Sequence, residues 1–156
     1  MYLSKFVFVI LFALLISSGA LAQKTRYYAK SADEAFEDQK YALAVERYQK
    51  IVNKVKNNRA EKGRIYYQIA ESYWNMAEYK RAKAQYKRLL RSNYERKQPI
   101  ILLHYAEALK MDEEYQEAKE YYLAYAEAVP DDPRGLNGAL SCDFIEDWID
   151  NPSKYQ

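Results

Sequence analysis

The chain has 156 residues, 24 Lys and Arg against 22 Asp and Glu, and a formal net charge of +2. That near balance argues against a strongly basic nucleic-acid binder, and a single Cys rules out an internal disulfide. Four Gly and four Pro leave no Gly/Ser linker, whereas 17 Tyr can furnish an aromatic core for one domain.

Residues 1–22 read as a secretory signal peptide. Lys5 gives a positive start, Phe6 to Ile16 is an apolar run, and Ala20-Leu21-Ala22 is a small-x-small cleavage signal. The run is too short for a spanning helix. Cleavage after Ala22 would leave Gln23 first, and no Cys near the site offers the bacterial lipoprotein route. The expectation is an exported, periplasmic protein.

Beyond Gln23 the chain repeats itself. Tyr41-x-x-Ala44-x-x-x-Tyr48 returns as Tyr79-x-x-Ala82-x-x-x-Tyr86 and as Tyr115-x-x-Ala118-x-x-x-Tyr122. An amphipathic stretch precedes each phrase: Tyr28 to Phe36, Tyr66 to Trp74, Leu102 to Leu109. A recurring helix pair predicts a solenoid. Ala32, Ala70 and Ala106 on the first helices, with Ala44, Ala82 and Ala118 on the second, would let each pair pack closely. The tyrosines four residues later would plug the gap to the next pair.

Helix ends follow from local chemistry. Pro99 fits a first helical turn, and Asp112 before Glu113 and Glu114 fits an N-cap. Asp132-Pro133 opens one more helix over roughly 133–149 by the same logic. Its stripe of Leu136, Leu140, Phe144 and Trp148 predicts a capping helix that covers the last apolar face. Cys142 beside it reads as a small buried residue. The expected organisation is a signal peptide over 1–22, three repeats over 23–130 (about 27–58, 62–94 and 98–130), a capping helix over 131–150 and a tail over 151–156.

Several positions per unit carry a family resemblance. Tyr66, Ile69, Ala70, Tyr73, Ala82 and Tyr86 fill the tetratricopeptide pattern in unit two. Leu102, Tyr105, Ala106, Leu109, Ala118, Tyr122 and Pro130 fill it in unit three, and Tyr28, Ser31, Ala32, Ala35, Ala44, Tyr48 and Ile51 in unit one. Residues 27–130 therefore resemble three tetratricopeptide repeats. The resemblance implies an all-α, right-handed solenoid whose first helices line a concave groove that binds peptides.

Projected by that match, the groove would hold Arg26 and Phe36 from unit one, and Arg64, Tyr67, Gln68, Glu71, Trp74 and Asn75 from unit two. Unit three would add Ile100, Leu103, His104, Glu107 and Met111. Aromatics and Arg are enriched in binding hot spots. Family members that clamp a terminal carboxylate use a basic ring on these helices. Ala29, Asp33, Gln68, Ile100 and His104 stand there instead, so a carboxylate clamp is not expected.

Catalytic constellations are missing from the sequence. There is no Ser-centred elbow, Gly-rich phosphate loop or His-Glu-x-x-His run, and a metal site would need carboxylates alone beside His104. No catalytic residue, metal or cofactor is expected, and the chain reads as a non-enzyme.

Charge is unevenly spread. Residues 23–97 carry +10 and residues 107–156 carry −9. The densest basic stretch, Lys80 to Lys97, could touch a membrane surface peripherally.

A closer likeness rests on longer phrases. Ala32-Asp33-Glu34-Ala35-Phe36, Ile69-Ala70-Glu71-Ser72-Tyr73 and Tyr105-Ala106-Glu107-Ala108-Leu109-Lys110 are three of them. Pro130-Asp131-Asp132-Pro133-Arg134 and Trp148-Ile149-Asp150-Asn151-Pro152-Ser153-Lys154-Tyr155 are two more. Together they are similar to the N-terminal repeat module of the OmpA-family envelope proteins of Bacteroidetes, including the PorE-type accessory protein of type IX secretion and gliding. The resemblance implies a scaffold that docks onto another envelope protein or peptide, and nucleic acid is a poor partner for an exported protein. The alternative expectations are a homo-oligomer joined through the basic and acidic halves, and a truncated fragment of a larger peptidoglycan-associated protein.

Overall fold

The computed structural model describes residues 27–55 and 58–155, and the signal-peptide reading of 1–22 and the groove position of Arg26 lie outside them. Helix α1 covers 27–37. It is followed by α2 (Tyr41–Val52), α3 (Arg59–Asn75), α4 (Tyr79–Leu90), α5 (Ile100–Met111), α6 (Tyr115–Ala128) and α7 (Arg134–Asp150). Short 3-10 turns occupy Tyr94–Arg96 and Pro152–Tyr155, and no strand occurs among the described residues. The architecture is all-α. Successive helices pack side by side, α2 on α3, α3 on α4 and so on to α6 on α7.

The small residues do what their size dictates. Ala32, Ala44, Ala70, Ala82, Ala106 and Ala118 are all fully buried, at the crossings of the helix pairs. Tyr48 and Tyr86 are fully buried and Tyr122 nearly so, filling the gaps between pairs as their spacing implied. Ile51, Ile65, Leu89, Ile101, Leu103 and Leu109 complete one continuous core. Cys142 lies in that core, where burial pushes its thiol up.

The turn inside each pair is built three times over by one device. Gln39, Ala77 and Glu113 stand in the left-handed region, with φ of 60°, 57° and 62°. The next residue's N–H then reaches back five residues: Lys40 to the Ala35 carbonyl at 2.8 Å, Glu78 to Tyr73 at 2.9 Å, Glu114 to Leu109 at 3.0 Å. This is the Schellman closure, which satisfies helix-end carbonyls and usually uses Gly at the left-handed position. Asp112 is therefore the C-cap of α5 and not the N-cap of α6. Its carboxylate instead pairs with Lys83, across to α4.

Between α4 and α5 the chain makes a longer excursion. Asn93 adopts φ 55°, and the Tyr94 ring then lies on α3 at Gly63, where a Cβ would come within 2.4 Å of it.

The last helix departs from expectation. Leu136, Leu140, Phe144 and Trp148 are 54, 65, 57 and 52% exposed, so the predicted stripe faces away from the solenoid. The buried face of α7 is the small one: Gly135, Ala139 and Cys142. The reason is distance. A Cβ on Gly135 would sit 2.8 Å from the Ala126 backbone nitrogen, so α6 and α7 meet backbone to backbone where no bulky side chain fits. Pro133 precedes the first turn as expected, and Asp132 Oδ1 accepts the Arg134 N–H at 3.0 Å.

Candidate functional site

On α1, α3 and α5 an acid directly follows the small residue of the crossing: Ala32-Asp33, Ala70-Glu71, Ala106-Glu107. One step round the helix from a buried position places each carboxylate at the edge of the core. The first two acids are held in the same manner. Asp33 accepts the Tyr48 hydroxyl at 2.5 Å from its own pair and Arg64 Nη1 at 2.8 Å from the next first helix. Glu71 accepts the Tyr86 hydroxyl at 2.8 Å, again from its own pair, and faces His104 Nδ1 at 3.0 Å, again from the next first helix. A carboxylate only accepts, so that His104 nitrogen carries the proton. Each rung is thus an acid, a tyrosine hydroxyl and a cation-forming side chain.

Electrostatics follow from this packing. Burial, reinforced by Glu71, drives the Tyr86 phenol far above its ordinary range, and burial with Asp33 does the same for Tyr48. Both hydroxyls therefore remain donors at every physiological pH. Arg64 is braced by Glu61 through two bonds, of 3.1 and 2.8 Å, as well as by Asp33. Trp74 stacks parallel to His104, with centroids 5.4 Å apart, and meets Tyr79 edge to face at 4.9 Å. Glu107 is half-buried, and that burial raises its carboxyl above the ordinary value.

Arg64, Tyr67, Gln68, Glu71, Trp74, His104 and Glu107 all lie partly exposed along α3 and α5. The structure joins Glu71, Trp74 and His104 directly through hydrogen bonding and stacking. Asn75 is exposed, with its amide nitrogen on the Glu71 carbonyl at 2.8 Å. Phe36 and Ile100 pack partly buried against the core. Leu103 has no exposed surface and belongs to the core, because it lies on the face of α5 turned inward. Met111 is 61% exposed and stands at the helix end, beside a shallow depression lined by Ala77–Arg81 and Asp112.

The tyrosine hydroxyls and Asp33 are not among the site residues projected from the sequence. Their signal was present in the thrice-repeated small-acid pair and in the tyrosine that closes each phrase. No cluster of three His, Cys, Asp or Glu side chains is placed to hold a metal among the described residues.

No protein-family model matches the chain, and no curated protein sequence does either. Solved structures do. The P58(IPK) TPR domain superposes with a TM-score of 0.66 at 20% identity, over 82% of this chain and 35% of that one. The Sgt2 TPR domain from Aspergillus fumigatus gives 0.62 at 13% identity, over 81% and 82%. The Pseudomonas aeruginosa pilF structure gives 0.64 at 21% identity, over 84% and 57%. The fold is a tetratricopeptide-repeat solenoid. The chain spans about a third of the length of the P58(IPK) chain and over half that of pilF. In this tetratricopeptide fold α1–α2, α3–α4 and α5–α6 are the three helix pairs, and α7 follows in the place of a first helix, with no second helix after it among the described residues.

Proposed function

We propose that the protein is a non-catalytic protein–protein interaction scaffold of the cell envelope, gripping a peptide or helix of an envelope protein in the groove of its first helices. The observation that carries this reading is the prearranged row of Arg64, Glu71, Trp74 and His104. Fixed partners already hold these side chains, so a ligand meets ordered aromatic and polar groups and little ordering entropy is lost on binding. The fold supports the same class of function, since repeat solenoids present extended binding surfaces. Export to the periplasm follows from the reading of residues 1–22. A place in a type IX secretion or OmpA-like assembly follows from the phrase-level likeness described above.

Capture from an envelope extract of the source cell tests it, with a Tyr67→Ala, Trp74→Ala variant alongside and circular dichroism to check folding. A protein retained by the wild type and lost by the folded variant is the expected result. Equal retention by both would sink the groove assignment.

Charge separation favours a second reading. Lys80, Arg81, Lys87 and Arg88 are exposed on α4 and Arg91 at its C-cap, and Glu120, Glu127, Asp131 and Asp150 are exposed in the acidic half. Head-to-tail association through these halves, or contact of the basic stretch with an anionic membrane surface, would fade as salt rises, whereas an aromatic groove would hold.

A further inference from the structure

We propose that the groove recognises a cationic side chain of its partner, a guanidinium or ammonium group, and that Glu107 receives it. The proposal rests on the groove reading above and names the chemistry of its ligand.

Asp33 and Glu71 each hold a tyrosine hydroxyl from their own pair and a nitrogen from the next first helix. Glu107 stands at the same place in the third unit, yet among the described residues its carboxylate accepts no hydrogen bond. Tyr122, the counterpart of Tyr48 and Tyr86, makes none to it. The next first helix is α7, and after Arg134 at its start it carries no Lys, Arg or His. The third rung therefore has its acid in place and lacks the nitrogen that the next first helix supplies to the other two.

The basic side chains near Glu107 all hydrogen-bond elsewhere. His104 is on Glu71 at 3.0 Å. Lys110 Nζ donates to Ser141 Oγ at 2.8 Å. Arg134 is held by Asp132 at 2.6 Å. Burial raises the Glu107 carboxyl most, His104, Arg134 and Lys110 pull it part of the way back, and Glu71, the least of these neighbours, pushes it up again. A half-buried carboxylate with no donor favours any ligand that brings one, and Arg brings two in parallel.

The test is an NMR titration with acetyl-arginine amide and its neutral isostere, acetyl-citrulline amide, followed at the Trp74 indole and the tyrosine rings. The proteins are wild type, Glu107→Gln, Glu120→Gln as an exposed-acid control, and the Tyr67→Ala, Trp74→Ala variant. Saturable shifts with the arginine probe are expected in wild type and in Glu120→Gln. Binding should weaken about tenfold in Glu107→Gln, and equally when citrulline replaces arginine, since the charge partner is what each change removes. Arginine affinity unchanged in Glu107→Gln, citrulline binding as tight as arginine, or no saturable shift at all overturns the third rung. If both probes bind alike and only the Tyr67→Ala, Trp74→Ala variant loses them, the groove reading stands without its cationic rung. Shifts confined to α4 or α7 overturn both.

Discussion

Replacing Tyr86 with Phe removes one oxygen atom from a fully buried side chain and leaves the ring in place. What is lost is the 2.8 Å bond to Glu71, whose side chain is only 13% exposed, and the longer contact of the same hydroxyl with His104 Nδ1 at 3.3 Å. A hydrogen bond to a charged group contributes about 1.5–3 kcal/mol. His104 still faces the same oxygen, so the carboxylate is not orphaned and the lower half of that range applies: about 2 kcal/mol. The other two rungs provide internal controls. Tyr48→Phe removes a bond to Asp33, but Asp33 is 35% exposed and keeps Arg64, so its cost falls to about 1 kcal/mol. Tyr122→Phe removes a hydroxyl that makes no bond to Glu107 and should cost about zero. Urea unfolding followed by far-UV circular dichroism at neutral pH measures all three, with an unchanged denaturant slope as the sign that only stability moved. A Tyr122→Phe loss equal to that of Tyr86→Phe would refute the reasoning, as would a Tyr86→Phe loss within about 0.5 kcal/mol of zero.

Gly135→Ala should cost about 1–3 kcal/mol in the same assay, because its Cβ would meet the α6 backbone at 2.8 Å and the helices would have to part. Ala77→Gly should stabilise by roughly 0.5–1 kcal/mol: a left-handed Ala, at φ 57°, is strained by more than the backbone freedom that Gly adds to the unfolded chain. Glu107→Gln should be more stable than wild type at neutral pH. Burial raises the folded-state carboxyl, so its stability contribution is fully present below the ordinary value of 4.5 and is lost as pH rises through the raised one. The variant's advantage should therefore vanish in an unfolding series carried below 4.5, and an advantage constant across pH would contradict the burial of this group.

The repeat was legible because its packing rule is local. Small residues must stand where two helices cross, and Ala32, Ala44, Ala70, Ala82, Ala106 and Ala118 announced those crossings by spacing alone. The turns were misread at Asp112 for an equally local reason. Asp before two Glu looks like a helix start, but the helix before it ends by a left-handed residue, and Glu113 is not the Gly that usually marks one. The candidate site is legible only in outline. Position on a first helix puts Glu71, Trp74 and His104 on one list, and hydrogen bonding and stacking join them, whereas Leu103 on the same list is entirely core.

By itself, then, the sequence determined the helix pairs, their number and their tight crossings, since period and side-chain size are properties of the chain. Tertiary structure alone decided two things. One is which face of α7 is buried: Gly135 and Ala139 allow an approach that Leu136 and Leu140 forbid, so close packing overrode the apolar stripe. The other is which acids find partners. Asp33 and Glu71 meet a hydrogen-bonding nitrogen from the next first helix and Glu107 does not, a distinction made by residues some thirty positions away in sequence.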